Sequence, residues 1–573
     1  MKHFKKYALT KPAGLFFFGI PLFFILVIAG CKKDKTDFEY DNRQITDARK
    51  NSSVRIINLA GYNQAQVNGD TLTNYVLRVT NDPLAGYYPA TRYFPDGGRL
   101  SSTWNIPQEL LKDGKARLKV ENLSLSAIKD PLEIDLQEDG QQPFDYYLLP
   151  TATAAQVTGQ PSYVKVPRSV AAPSNPSHFK VRILNLCATV PSDQAMENLT
   201  GPMSLAWADG TLVDSKTNNI QPGQYSEYIE LPYFTGQLKV LNANSIQLPG
   251  VASDLVLNPS TSTIEGLSLT YVPLKTYVPG GVYTIVIAAR NYVIPYRAGN
   301  PGETVNGYQN GLSVINDIAE PVNLTYGRMQ AVNALPGTSG MQVRVNGKPL
   351  GTAIDFTNHT DYDAFVTGDY TVEAINGAGN VMASLSLKLD GNANFTLWVH
   401  PDAGGNTTIS AVANNLSGTF AREASDDATY ARFKDVFPVG IRFLNLCPDL
   451  PYLTMTTDNA QSFSSLYGFS TSAVNNLRPG VIPIESPYIS AAINANPYQL
   501  MAFRSSPTVI PGTWASDIPV LTGQDLIARR ELYIRGALPN QEPGFYTVAL
   551  VGSTNPAAPA AQKAKLIVVK HSK

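Results

Sequence analysis

Charge is scarce in this chain of 573 residues. Lys, Arg, Asp and Glu make up 16% of it, against roughly 25% in an average soluble protein. The two signs nearly cancel, with 45 basic and 46 acidic side chains. No strong basic patch appears, so binding to nucleic acid has no electrostatic basis. Only three cysteines and five histidines occur. A hydrophobic run long enough to span a bilayer is missing too. The apolar stretch LFFFGIPLFFILVI covers residues 15–28, whereas a spanning helix needs about 20 residues. There is no G-x-S-x-G elbow, P-loop, dinucleotide fingerprint or H-E-x-x-H pair.

The chain does contain much Tyr (29), Gly (43) and Pro (41), and its hydrophobic fraction of 43% is ample for packed cores. Low charge with these residues reads as short strands and turns, hence an all-β protein. The N-terminus is the most specific signal. MKHFKKYALTK is basic, the 14-residue apolar run has the length of a signal h-region, and Ile28-Ala29-Gly30-Cys31 follows. This resembles a bacterial lipobox. Ala29 and Gly30 are small enough to enter a peptidase cleft, and the Cys31 thiol can form a thioether to a diacylglycerol. Cleavage between Gly30 and Cys31 would leave an acylated N-terminal residue, and several acyl chains on it anchor stably where one is marginal. Residues 1–30 carry four Lys and no acid, so from Cys31 onward 41 basic face 46 acidic side chains. Residues 31–50 are charged, lack periodicity and read as a tether. Asp34, Asp37, Glu39 and Asp41 close behind Cys31 resemble an export signal to the cell surface.

One phrase recurs four times: VRIINLA (54–60), VRILNLC (181–187), the degenerate MQAVNAL (329–335) and IRFLNLC (441–447). Each is β-branched and aliphatic on both faces, which predicts a strand covered on both sides. A middle strand recurs as GKARLKVEN (114–122), GQLKVLNAN (236–244), GDYTVEAIN (368–376) and PYQLMAFRS (497–505). A closing strand recurs as FDYYLLP (144–150), GVYTIVIAA (281–289), NFTLWVHP (394–401) and GFYTVALVG (544–552). Between them lie QVNGDTL (66–72), AWADGTL (206–212) and RVNGKPL (344–350), whose Asn-Gly and Asp-Gly pairs suit two-residue primed turns. These repeats predict a tandem array of about four small antiparallel β-sandwich, Ig-like domains behind a lipoprotein signal peptide. Their limits are 51–160, 179–290, 327–412 and 438–573. Residues 161–178 and 413–437 read as linkers, and 291–326 as an insertion with a loop-like 297–311.

The position after Asn-Leu holds Ala60, Cys187 and Cys447, with Leu335 in the degenerate copy. These share only apolarity, so both cysteines read as small buried hydrophobes. They occupy equivalent places in different domains and should not pair. The Asn of the phrase, Asn58, Asn185, Asn333 and Asn445, reads as a strand-end amide that satisfies backbone groups of the following loop.

Together these features resemble domain-of-unknown-function family 4397. They are an opening strand of type [VI]-R-[IF]-[IL]-N-L, a V-N-G hairpin, a G-x-[LY]-x-V strand and a closing [FY]-T strand behind a lipobox. The resemblance covers most of 51–573 as four copies, with Gln330 in place of the Arg in the third. It implies a β-sandwich and an extracytoplasmic location, and it transfers no catalytic residue.

Of the histidines, His3 lies in the signal, His178 in a linker and His571 near the frayed end. His359, beside Asp361 and Asp363, and His400, before Asp402, are the most metal-like grouping, but their spacing fits no standard site and reads as solvated loops. No metal, cofactor or enzyme activity is expected. Aromatic rings on turns offer binding candidates: Tyr87, Tyr88, Tyr93 and Phe94 in AGYYPATRYFPDGG, and Tyr467 and Phe469 in SSLYGFS. Trp207 and Trp398 fall in predicted strands and read as core. The sequence therefore points to a lipid-anchored outer-membrane protein at the cell surface, held by Cys31, that binds a polysaccharide or another envelope or extracellular protein without catalysis. A periplasm-facing structural subunit of an envelope complex and a hydrolase with an unrecognised site are the alternatives.

Overall fold

A computed structural model describes residues 50–74, 91–94, 98, 100–124, 127–150, 160–189, 199–248, 250–252, 255–256, 274–295, 304–414, 416, 439–463, 470–484, 487–490, 498–527, 542 and 544–573. Every helical piece among these is a 3-10 turn of three or four residues. The rest is strand and loop, arranged as four sandwiches.

Each sandwich uses one sheet plan. An edge strand, the opening strand, the closing strand and a flanking strand lie side by side in that order. In the first unit these are Thr103–Pro107, Asn51–Asn58, Phe144–Leu148 and Tyr163–Pro167. The second has Ile229–Pro232, His178–Leu186, Val282–Pro295 and Thr304–Asn316. The third has Asp363–Val366, Tyr326–Asn333, Asn394–Pro401 and Thr407–Ala413, and the fourth Ile489–Ser490, Val439–Asn445, Gly544–Val551 and Lys565–Lys570. The array is of the expected sandwich class, but the central pair of every such sheet runs parallel. Parallel neighbours need a long crossover, and the chain between them builds the second sheet. In the first unit that sheet contains Gln64–Val67, Lys115–Ser124 and Ala127–Gln137.

Side-chain alternation then divides the opening strand between two cores. In the first unit Val54 and Ile56 face the unit's own core with Leu118, Val120 and Tyr146. Ile57 and Leu59 face the other way and pack with Leu184, Leu186, Val286 and Ala288 of the second unit. Val332, Ala334 and Trp398 of the third unit meet Leu444, Leu446, Ala549 and Val551 of the fourth in the same manner. The units are thus joined back to back in two pairs, and each repeat phrase is covered on both sides.

Several local expectations change. Residues 163–167, read as linker, are the strand Tyr163–Pro167 that flanks the first unit's sheet. The second unit, expected to end at residue 290, continues through Val282–Pro295 and Thr304–Asn316. Residues 304–311, read as loop, belong to the strand Thr304–Asn316, which pairs along its whole length with Val282–Pro295. The VNG turns have the expected geometry, with positive φ at Asn68 and Gly69 and at Asn346 and Gly347. At Asp209-Gly210 only Gly210 has positive φ, and the Trp207 amide bonds to the Thr211 carbonyl, so a three-residue loop replaces the two-residue turn. His178 begins a strand instead of lying in a linker.

Candidate functional site: the arginine seams

The second residue of the repeat phrase faces out of its own unit, so it lands in the seam. Arg55, Arg182 and Arg442 are all buried there. In the third unit Gln330 holds that place, and Arg328, two residues earlier on the same face, supplies the guanidinium. Each finds a polar partner in register on the parallel closing strand. Arg55 Nε donates to Asp145 Oδ1 at 2.8 Å, Arg182 Nε to Thr284 Oγ1 at 2.9 Å, and Arg328 Nε to Asn394 Oδ1 at 2.7 Å. Arg442 lies opposite Thr547 but reaches across to the third unit, donating to Asn414 Oδ1 at 3.1 Å and the Ala413 carbonyl at 2.7 Å.

A tyrosine just before the edge strand completes the arrangement in three units. The guanidinium carbon of Arg182 lies 4.7 Å from the Tyr228 ring centre, Arg328 is 5.2 Å from Tyr362 and Arg442 is 4.5 Å from Tyr488. Such stacking suits a weakly hydrated cation in a dry place. These tyrosines were missed from sequence. Their only signal is a Tyr immediately before three of the four edge strands.

The first seam holds most of the charge. Arg55 bonds Asp145 and, at 2.9 Å, Asp317 of the second unit; it also donates to the Asn316 carbonyl. Arg168 contacts Asp145 at 3.1 Å and donates to the Asp317 carbonyl at 2.9 Å. Asp317 Oδ2 accepts from Thr284 at 2.6 Å and Tyr228 at 2.8 Å. Burial pushes the Asp317 carboxyl above its ordinary range even though Arg55 and the Thr284 hydroxyl pull it down. Burial lowers the Arg168 guanidinium. For Arg55 burial acts in the same direction, but Asp145 and Asp317 outweigh it and the net shift is upward.

In the second seam His571 is hydrogen-bonded by neutral groups, with the Arg442 guanidinium nearby. This residue is 1% exposed and not frayed. Its Nε2 lies 2.7 Å from Thr547 Oγ1 of the fourth unit. Its Nδ1 lies 3.1 Å from Gln330 Nε2, 3.2 Å from the Tyr362 hydroxyl and 3.3 Å from Thr396 Oγ1, all of the third. Burial, with Arg442 and His359 nearby, holds its pKa well below the usual histidine value.

His400 is a buried strand residue, not a loop residue. Nδ1 contacts the Pro401 carbonyl and Nε2 the Ser410 hydroxyl, both at 2.8 Å. His359 is exposed. No group of three or more His, Cys, Asp or Glu side chains placed to hold a metal occurs among the described residues. Phe94 is buried edge-on against Trp104 with ring centres 5.7 Å apart, so it closes the end of the first sandwich. Tyr93 is partly buried on the same core, with Arg92 over its ring at 5.8 Å. Tyr87, Tyr88, Tyr467 and Phe469, like Gly30 and Cys31, lie outside the described residues. Trp398 is fully buried, Trp207 packs partly buried against Phe234, and Trp514 is half exposed on the edge strand Val509–Trp514.

The repeat asparagines staple loops. Asn445 Nδ2 donates to the Leu450 and Leu477 carbonyls at 2.7 and 3.0 Å, and its Oδ1 accepts the Cys447 amide at 3.1 Å. Asn185 and Asn333 make equivalent bonds, and Asn58 donates to the Tyr62 carbonyl and accepts the Tyr62 amide. Cys447 is buried and Cys187 partly so; neither is in a disulfide, and burial raises both thiols.

Fold and seams together define a tandem β-sandwich protein whose buried polar side chains join one unit to the next. Residues 327–425, which contain the third unit, match the model of a domain of unknown function, DUF4397. No curated protein matches the chain. Among solved structures, one described as alpha-glucan recognition by family 41 carbohydrate-binding modules from streptococcal virulence factors aligns at 13% identity. It covers 42% of this chain and 96% of that one, with a TM-score of 0.14. The Bacillus anthracis TIE protein aligns at 8% identity over 86% of this chain and 68% of that one, with a TM-score of 0.10. Scores this low carry no argument about ligand.

Proposed function

We propose that the protein is a non-catalytic, lipid-anchored scaffold of the outer membrane, displayed at the cell surface through Cys31, that presents a binding surface to a polysaccharide or to another envelope or extracellular protein. The observation that carries this reading is the use made of buried polar chemistry. Arg55 reaches Asp317, Arg328 reaches Thr235, Arg442 reaches Asn414 and His571 reaches Gln330, each across a boundary between units. A body locked in this way holds several weak surface sites at fixed spacing, which lowers the entropy lost on multivalent binding. The lipobox supports the anchor, and the acids behind Cys31 support export.

The same rigidity suits a periplasm-facing subunit of an envelope complex, and protease shaving separates the two. On intact cells the surface protein is degraded, and a Cys31→Ser variant appears in the soluble fraction. Protection until lysis overturns surface display and leaves the periplasmic reading, to be followed by crosslinking to neighbouring envelope proteins.

A further inference from the structure

Beyond the two back-to-back seams, a third contact joins the pairs to each other. It is made by the three residues that follow the last strand. The Lys573 amide donates to the Thr235 carbonyl at 2.9 Å, and the Gln237 amide donates to the Lys573 carbonyl at 2.8 Å. This is the bonding pattern of a parallel rung opposite Gly236. Phe234–Gly236 pairs on its other side with Lys275–Tyr277, so the segment adds a third strand to that small sheet of the second unit. The seat fits a glycine only: a Cβ at Gly236 would lie 2.0 Å from the Lys573 carbonyl oxygen.

Three consecutive side chains then touch three units. His571 sits among Gln330, Tyr362, Thr396 and Thr547 of the third and fourth units. Ser572 is buried. The Lys573 ammonium lies 4.7 Å from the Trp207 ring centre in the second unit and 3.8 Å from Asp361 in the third. Two side-chain contacts reinforce the junction. Lys239 of the second unit is 3.2 Å from Glu542, and Arg328 of the third donates to Thr235 at 2.9 Å.

We propose that the free edge of Phe234–Gly236, with Trp207 beside it, is a strand-acceptor site whose occupant is the chain's own His571–Lys573 segment, and that this strap sets the first pair of sandwiches against the second as one body. The device goes beyond the scaffold reading and does not depend on where the protein is anchored.

Two measurements test it. In the unmodified protein, one opening event should release both rung amides. Native-state hydrogen exchange should therefore show Gln237 and Lys573 with a common protection factor, lower than that of core amides such as Ile285. In Gly236→Val the blocked seat should speed Gln237 exchange by about tenfold or more. It should also enlarge the radius of gyration, while Ile183–Leu186 and Val548–Leu550 stay protected. Different protection factors for the two amides in the unmodified protein overturn the proposal even if the variant fails to fold. So does a folded variant with unchanged dimensions.

Discussion

A guanidinium in the face of a sheet is costly to desolvate, and it is tolerated here because each is given acceptors or a ring. Removing one partner costs more than the pair contributes, since the other charge stays buried. Arg55→Ala leaves the Asp317 carboxylate with only the Tyr228 and Thr284 hydroxyls. It should lower stability by about 3–5 kcal/mol in urea titration, and an Arg55→Met, Asp317→Leu double variant should lose less than the single one. Asn445→Ala strands the Leu450 carbonyl and the Cys447 amide, while the Leu477 carbonyl keeps the Leu453 amide. A loss of about 2 kcal/mol in the same titration is expected. His571 gives a pH signature. Its folded pKa is depressed, by burial first, so the unfolded chain binds the extra proton below the ordinary value of about 6.5. The stability this group contributes is present above that pH and declines as pH falls, by about 1.4 kcal/mol per unit. His571→Gln should flatten this part of the stability–pH curve. A curve identical to that of the unmodified protein would reject the assignment. Arg55, Arg182 and the strand-end asparagines were visible in the repeat; the partners of the arginines were not, because Asp145, Asp317 and Thr284 become their neighbours only after the sheet forms.

At the level of the strand, β-branched runs bounded by turn residues placed the opening, middle and closing strands where they are found. Their two-faced apolarity announced cover on both sides. What that cover is made of is not a property of one strand. Ile57 and Leu184 belong to the same apolar layer although they lie in different units. Direction was equally hidden, since neither periodicity nor composition distinguishes a parallel from an antiparallel neighbour. The strand Thr304–Asn316 escaped because its Gly307 and Gly311 lower β propensity, while thirteen paired residues of the long hairpin override that preference. Trp398 shows the weight of the inter-unit layer. It is buried against the fourth unit's face, not in its own unit's core. Trp398→Ala should therefore lower stability by about 3–5 kcal/mol in urea titration. Exchange protection should fall in Leu444–Leu446 of the neighbouring unit as well as in the third. A loss confined to the third unit would contradict the shared layer.

Across the whole molecule, four repeats read as separate beads on a chain become two back-to-back pairs joined by a strap. The sequence by itself determined the all-β class, the number of units, the approximate places of the repeated strands and the role of the strand-end asparagines. These follow from local periodicity and from short-range backbone bonding, which each repeat restates. The tertiary structure alone decided the parallel central pairs, the pairing of first with second and third with fourth units, the tyrosines over the arginines and the burial of His400 and His571. Each of these depends on faces brought together from residues up to about 260 positions apart, as Arg55 and Asp317 are. A single outward side chain has the same local pattern whether it meets water or another sheet, and only the assembled core determines which.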